Sequence, residues 1–176
     1  FFYYLEQVQE ITNNTAGLIA TRRAILMKGD MAYFRKLKSL YEQLDLWDQE
    51  KEALWSELPL KIGSYNYAVL LAQENELELL LDQVKMNKSY ITDFGKQLAV
   101  KYPDQAYQIY EEYIYEQADQ ANDRRKYRQV CSYLKKLVEA GAKSRPLAIV
   151  ARLNEIYLRR PAMLDELAKL ERKLKK

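Results

Sequence analysis

The chain has 176 residues, with 28 Lys and Arg against 25 Asp and Glu, a formal net charge of +3, no histidine and a single cysteine, Cys131. At 48% hydrophobic and 30% charged residues, it reads as neither disordered nor a membrane span, and it is long enough to bury a core. Without His or a second Cys there is no His-based triad, no His or multi-Cys zinc site and no disulfide framework.

Five glycines and four prolines leave few places to turn a hairpin between strands, while Leu, Ala, Glu, Lys and Gln favour helices. The chain therefore reads as all-α, with helices expected at 2–13, 15–28, 31–44, 47–58, 65–73, 75–86, 90–101, 104–119, 123–140, 146–159 and 161–174. Asn13-Asn14-Thr15 is a joint capped by Asn14 or Thr15. Gly29 closes the second helix and Asp30 caps the third, whose apolar set is Tyr33, Phe34, Leu37, Leu40, Tyr41 and Leu44. Pro59 and Gly63 are expected to break the chain after Leu58. Asn75, Asn87 and Lys88-Ser89 mark further joints. Pro103, Pro146 and Pro161 suit first helical turns, with Ser144 as a cap before Pro146. From Asp123, a plausible N-cap, the set Tyr127, Val130, Cys131, Leu134, Leu137 and Val138 forms one helix face that ends at Gly141.

Short links favour antiparallel neighbours, and two such helices make a unit of roughly 34 residues. The expected fold is an irregular array of antiparallel helical hairpins, a tetratricopeptide-like α-solenoid spanning 1–176 as a single helical-repeat domain. A compact helical bundle is the alternative. No stretch has the roughly 18 uninterrupted apolar residues of a transmembrane helix. The opening Phe1-Phe2-Tyr3-Tyr4 has neither the basic start of a signal peptide nor an initiating Met, so the chain is expected to be part of a longer protein. The lack of paired cysteines fits a cytoplasmic setting.

Charge is unevenly spread. Residues 1–120 carry −7 and residues 121–176 carry +10. Arg124, Arg125, Arg128, Lys135 and Lys136 flank the apolar face of the helix at 123–140. Together with Arg145, Arg152, Arg159 and Arg160 they could form a solvated helix face, a phosphate-contacting surface or a dock for an acidic partner. Fifteen tyrosines include a dense set around Tyr107, Tyr110 and Tyr113, readable either as inter-helix packing or as an aromatic surface for peptide or single-stranded nucleic acid. The carboxylate groups Glu111-Glu112, Glu74/Glu76/Glu78 and Asp165-Glu166 do not converge as an acid–base site, since adjacent helix positions point about 100° apart. Asp165 and Glu166 are expected to pair locally with Lys169 and Arg172. Cys131 reads as a buried, inert thiol, and residues 171–176 as a helix end whose cations suit the dipole.

Several segments together carry a family resemblance. They are Lys101-Tyr102-Pro103-Asp104-Gln105-Ala106 with Ile109-Tyr110, then Asn122 to Arg128, Tyr133-Leu134-Lys135-Lys136-Leu137, Leu153-Asn154-Glu155-Ile156-Tyr157, and Arg159-Arg160-Pro161-Ala162-Met163-Leu164-Asp165-Glu166-Leu167. In this order they resemble the C-terminal helical region of bacterial SWIM-type zinc-finger proteins, with Tyr33 to Lys38 and Leu54 to Leu58 fitting more loosely. The resemblance implies a helical solenoid following a zinc finger that binds DNA or protein. Nothing in this chain matches the finger's Cys-x-Cys and Cys-x-His pairs, so zinc is expected upstream in the parent and no cofactor here. The expected function is a non-catalytic scaffold making protein–protein contacts, without a small-molecule substrate and without membrane attachment. The alternative is an auxiliary nucleic-acid-binding module, with DNA met through the basic end or the parent.

Overall fold

The structure, a computed structural model, describes residues 1–175, and among them it is all-helical. The elements are α1 (Phe2–Ile11), α2 (Thr15–Met27), α3 (Ala32–Gln43), α4 (Trp47–Ile62), α5 (Ser64–Gln73), α6 (Leu77–Met86), α7 (Ile91–Lys101), α8 (Pro103–Gln120), α9 (Arg124–Glu139), α10 (Arg145–Ile156) and α11 (Pro161–Leu174). No described helix is long and apolar enough to cross a membrane.

The joints follow local chemistry. Asn14 caps α2 by accepting from the Gly17 amide at 3.1 Å, and Asp123 caps α9 by accepting from Lys126 at 2.8 Å. Gly29 follows α2 at φ +102°, where a side chain would be strained, and Asn75 turns the chain after α5 at φ +58°. Three expectations are corrected. Pro59 does not break α4, which runs on to Ile62 and ends at Gly63 (φ +81°). Proline removes only its own amide and the i−4 bond, and neighbouring helical turns survive that loss. Ser144 makes no side-chain cap, and Asp30 sits one residue ahead of the α3 cap, reaching the Ala32 amide at 3.3 Å. Lys88-Ser89 lies in a single 3-10 turn, Lys88–Tyr90, leading into α7.

The chain divides into two compact units, Phe1–Leu70 and Leu71–Lys176. In the first, α2 packs on α1, α3 and α4. Its core holds Leu26, Phe34, Leu37, Leu54 and Leu58, with Trp55 stacked 4.8 Å from Phe34 and Trp47 edge-on at 6.1 Å. Phe34 and Trp55 are buried in mutual contact, with Trp47 half-buried against the edge of Phe34, so this cluster adds substantial apolar burial to the unit. One helix departs from ordinary amphipathicity. α1 buries Glu6 and Gln9, while Phe1, Tyr4, Val8 and Ile11 face outward. Burial stays affordable for Glu6 because Arg22 Nε donates to it at 2.9 Å and the Tyr33 hydroxyl donates to its other oxygen. Arg22 also holds Glu10 at 2.6 Å.

In the second unit, each helix from α7 onward packs on the next and on the one after that: α7 on α8 and α9, α8 on α9 and α10, α9 on α10 and α11. Leu80, Ile91, Leu98, Ala106, Ile114, Ala118, Leu134, Leu137 and Leu153 are fully buried between them. The apolar stripe read from the sequence at 123–140 is the inner face of α9, apart from Val138, which stays exposed. α9 is thus the helix around which the C-terminal cations are arranged.

Candidate functional site: a basic groove between α9 and α11

The stripe of α9 leaves its cations at the stripe's two margins. On one margin Arg128, Cys131 and Lys135 recur at spacings of three and four. On α11, Glu166, Lys169, Leu170 and Lys173 recur likewise, so each set forms one helix edge. Because α9 and α11 pack together, these edges face one another across a groove of about 280 Å³. Its floor is apolar, from Cys131 and Leu170, and its walls carry Arg128, Lys135, Lys169 and Lys173.

One end of the groove is an ion cluster. The Glu166 carboxylate is met by Arg124 at 2.8 Å, Arg128 at 3.3 Å and Lys169 at 3.5 Å, and Asp165 is met by Arg124 at 2.7 Å and Lys169 at 2.8 Å. Burial pushes the Glu166 carboxyl up, but the hydrogen bond from Arg124 and the charges of Lys169 and Arg128 outweigh it and hold it below the usual range. Asp165 is held low by its hydrogen bonds from Lys169 and Arg124. At the other end, Lys135 and Lys173 form no ion pair or hydrogen bond with any other described residue. The groove therefore has a neutralised end and a cationic end, joined by an apolar strip.

The remaining cations named from the sequence go elsewhere. Lys136 donates to the Thr92 carbonyl at 2.8 Å and so ties α9 to the start of α7. Arg160 donates to the carbonyls of Ala118 and Ala121, each at 3.0 Å, and lies 4.3 Å over the Tyr157 ring. Arg145 reaches Glu111 at 3.6 Å and Arg152 reaches Glu155 at 2.9 Å. Arg125 and Arg159 are exposed, with Arg159 beside the loop between α10 and α11. The continuous basic surface expected from composition is thus divided, because four of these six cations are spent on acceptors within the chain. Arg172 likewise does not pair with Asp165 or Glu166. It donates to the Ala168 carbonyl at 3.3 Å.

The tyrosines pack rather than form one exposed face. Tyr110 is 2% exposed and lies against Gly95 of α7. The Tyr107 hydroxyl donates to the Ala140 carbonyl at 3.1 Å, and the Tyr113 ring lies 5.2 Å from that of Tyr133 of α9. All three fasten α8 to its neighbours. Burial pushes the Tyr110 hydroxyl up to about 12 and the Cys131 thiol up to about 11, so neither ionises near neutral pH. Among the described residues, no group of three or more His, Cys, Asp or Glu side chains is placed to hold a metal ion.

Sequence reasoning named Lys169 as a local partner of Asp165 and Glu166, which it is, but missed Leu170 and the place of Lys169 and Lys173 in the groove, having read residues 171–176 only as a terminal cationic run. The signal was there in the matching i, i+3, i+4 edges of α9 and α11, but only the packing of those two helices makes them one feature. No family model, curated protein or solved structure matches the chain.

Proposed function

We propose that the chain is a non-catalytic helical scaffold that receives an acidic, partly apolar helical segment of a protein partner in the α9–α11 groove. The observation that supports this most directly is the pairing of an apolar floor, Cys131 and Leu170, with the cationic end formed by Lys135 and Lys173. An amphipathic helix with carboxylates beside an apolar edge complements both parts. The packing of each helix from α7 to α9 on its next two neighbours is compatible with a tetratricopeptide-like hairpin array, the architecture through which such scaffolds present binding surfaces. The resemblance to the helical region of SWIM-type zinc-finger proteins extends the proposal. The scaffold belongs to a cytoplasmic parent whose finger holds the zinc, and the groove positions or recruits a partner for it.

Nucleic-acid contact by the basic end is the second reading, favoured by the +10 charge of residues 121–176. The apolar floor, Cys131 and Leu170, weighs against it, since a phosphate backbone leaves that strip unmatched where the apolar edge of an amphipathic helix covers it. Titration of a fluorescent acidic amphipathic peptide, beside single-stranded and duplex DNA of matched charge, tests the proposal. The peptide is expected to bind, and the double variant Lys135→Glu/Lys173→Glu to weaken it at least tenfold, about 1.4 kcal/mol. DNA binding with a steep inverse salt dependence, together with no peptide binding, would overturn the scaffold reading.

A further inference from the structure

The outer face of α1 carries a second, chemically different surface. Phe1, Tyr4, Val8 and Ile11 are spaced three, four and three residues apart and are 93%, 72%, 38% and 81% exposed. At 100° per residue they fall within about 80° of one another, roughly 150° round the helix from the buried Glu6 and Gln9. This is the apolar seam of a helix pair, yet its partner position is vacant among the described residues. The inner face does not compensate for it. It buries a carboxylate and an amide, and the Gln9 Oε1 atom has no hydrogen-bond partner there.

We infer that this seam is a self-association surface, on which α1 of a second copy of the chain packs antiparallel. Three features of the seam select a copy of itself as the occupant. First, its side chains carry no charge and are bordered by Leu5, Gln7 and Thr12, while the carboxylates of α1, Glu6 and Glu10, are both taken up by Arg22. It offers nothing to an acidic peptide or a nucleic acid, and two copies meet without repulsion. Second, antiparallel pairing about position 6 sets Phe1 against Ile11 of the copy and Tyr4 against Val8, so each ring meets a smaller aliphatic side chain. Parallel pairing would set ring against ring. Third, the area is on the right scale. With aromatic side chains contributing roughly 150–250 Å² each, the exposed parts of the four residues present at most about 500 Å² per copy, and with the bordering Leu5, Gln7 and Thr12 the pair comes to the ~1,000 Å² lower bound of a specific interface. A twofold axis through the middle of α1 makes the contact isologous and closed, so association stops at the dimer.

The test is the molar mass of the 176-residue chain by sedimentation and light scattering over a low-to-high micromolar series. The mass is expected to rise from 20.9 kDa to twice that value. Ile11→Glu and Tyr4→Glu should each keep it at the monomer value while preserving helical circular dichroism, because both side chains lie outside the core. Leu60→Glu, an equally exposed apolar position on α4, should dimerise like the parent chain. In a Cys131→Ser background, mixed Tyr4→Cys and Val8→Cys chains should form the mixed disulfide in preference to either homodisulfide. A chain that stays monomeric throughout, a dimer that Ile11→Glu leaves intact, or a predominance of homodisulfides would each overturn the inference.

Discussion

Replacing Gly95 with alanine adds one methyl group at the tightest point between α7 and α8. Gly95 is buried in the interior of α7, and a Cβ there would stand 2.6 Å from both Cζ and Oη of Tyr110, with Cε2 closer still. Ordinary carbon contacts begin near 3.4 Å, so the ring or a helix must move by most of an ångström. Tyr110 is 2% exposed and has no free volume to enter. In an open helix the same change would stabilise by about 1 kcal/mol through backbone entropy. Overpacking costs 1–3 kcal/mol, and with three ring atoms inside contact distance the upper end applies. The net expectation is a loss of about 2 kcal/mol, read as a fall in melting temperature of roughly 4–8 °C by circular dichroism. Tyr110→Leu should be destabilising in the parent chain but much less so in the Gly95→Ala background, giving a coupling of at least about 1 kcal/mol. A Gly95→Ala chain as stable as the parent, or more so, would refute this account of the interface.

The pH dependence of stability should carry a contribution from Glu6. Burial raises its pKa, but hydrogen bonds from Tyr33 and Arg22 and the charge of Lys36 prevail and bring it below 4.5. Its contribution is therefore complete above pH 4.5 and is lost as pH falls through the lowered value in the folded state. Glu6→Gln should flatten the acid limb of a stability–pH profile measured by urea denaturation, and should cost about 2 kcal/mol at neutral pH through weakened bonds to charged groups. An unchanged acid limb would show that Glu6 titrates alike folded and unfolded. For Cys131, held at about 11 and buried, a disulfide reagent at mildly alkaline pH should react slowly with the native chain and stoichiometrically in denaturant. Fast native reaction would mean that the groove floor opens.

The helices were legible because apolar spacing and caps agree along most of the chain. The stripe Tyr127, Val130, Cys131, Leu134 and Leu137, together with the Asp123 cap, marks α9 to within a residue or two. Pro59 misled because proline is a statistical helix breaker, whereas here it sits one turn from a glycine that ends the helix anyway. The candidate site was half legible. Arg128 and Lys135 were named from their place beside the stripe, but the α11 wall depends on which helices pack, and no local pattern encodes that. The fates of Lys136 and Arg160 were hidden for the same reason, since their acceptors are backbone carbonyls 44 and about 40 residues away. For α1 only the bounds, 2–13, were read from the sequence, and not which face turns inward. Its polar side faces inward because Arg22 and Tyr33 wait there for a carboxylate.

Arg160 gives the last two helices an unusual relation to an earlier one. Its guanidinium, on the residue immediately before α11, bonds the carbonyl of Ala121, just past the helix end, and that of Ala118, which already accepts from the Ala121 amide at 3.3 Å. The end of α8 is thus finished by a side chain that arrives some forty residues later in the chain. During synthesis α8 emerges some forty residues ahead of this donor. One planar cation, resting on Tyr157, thus joins the end of α8 to the start of α11.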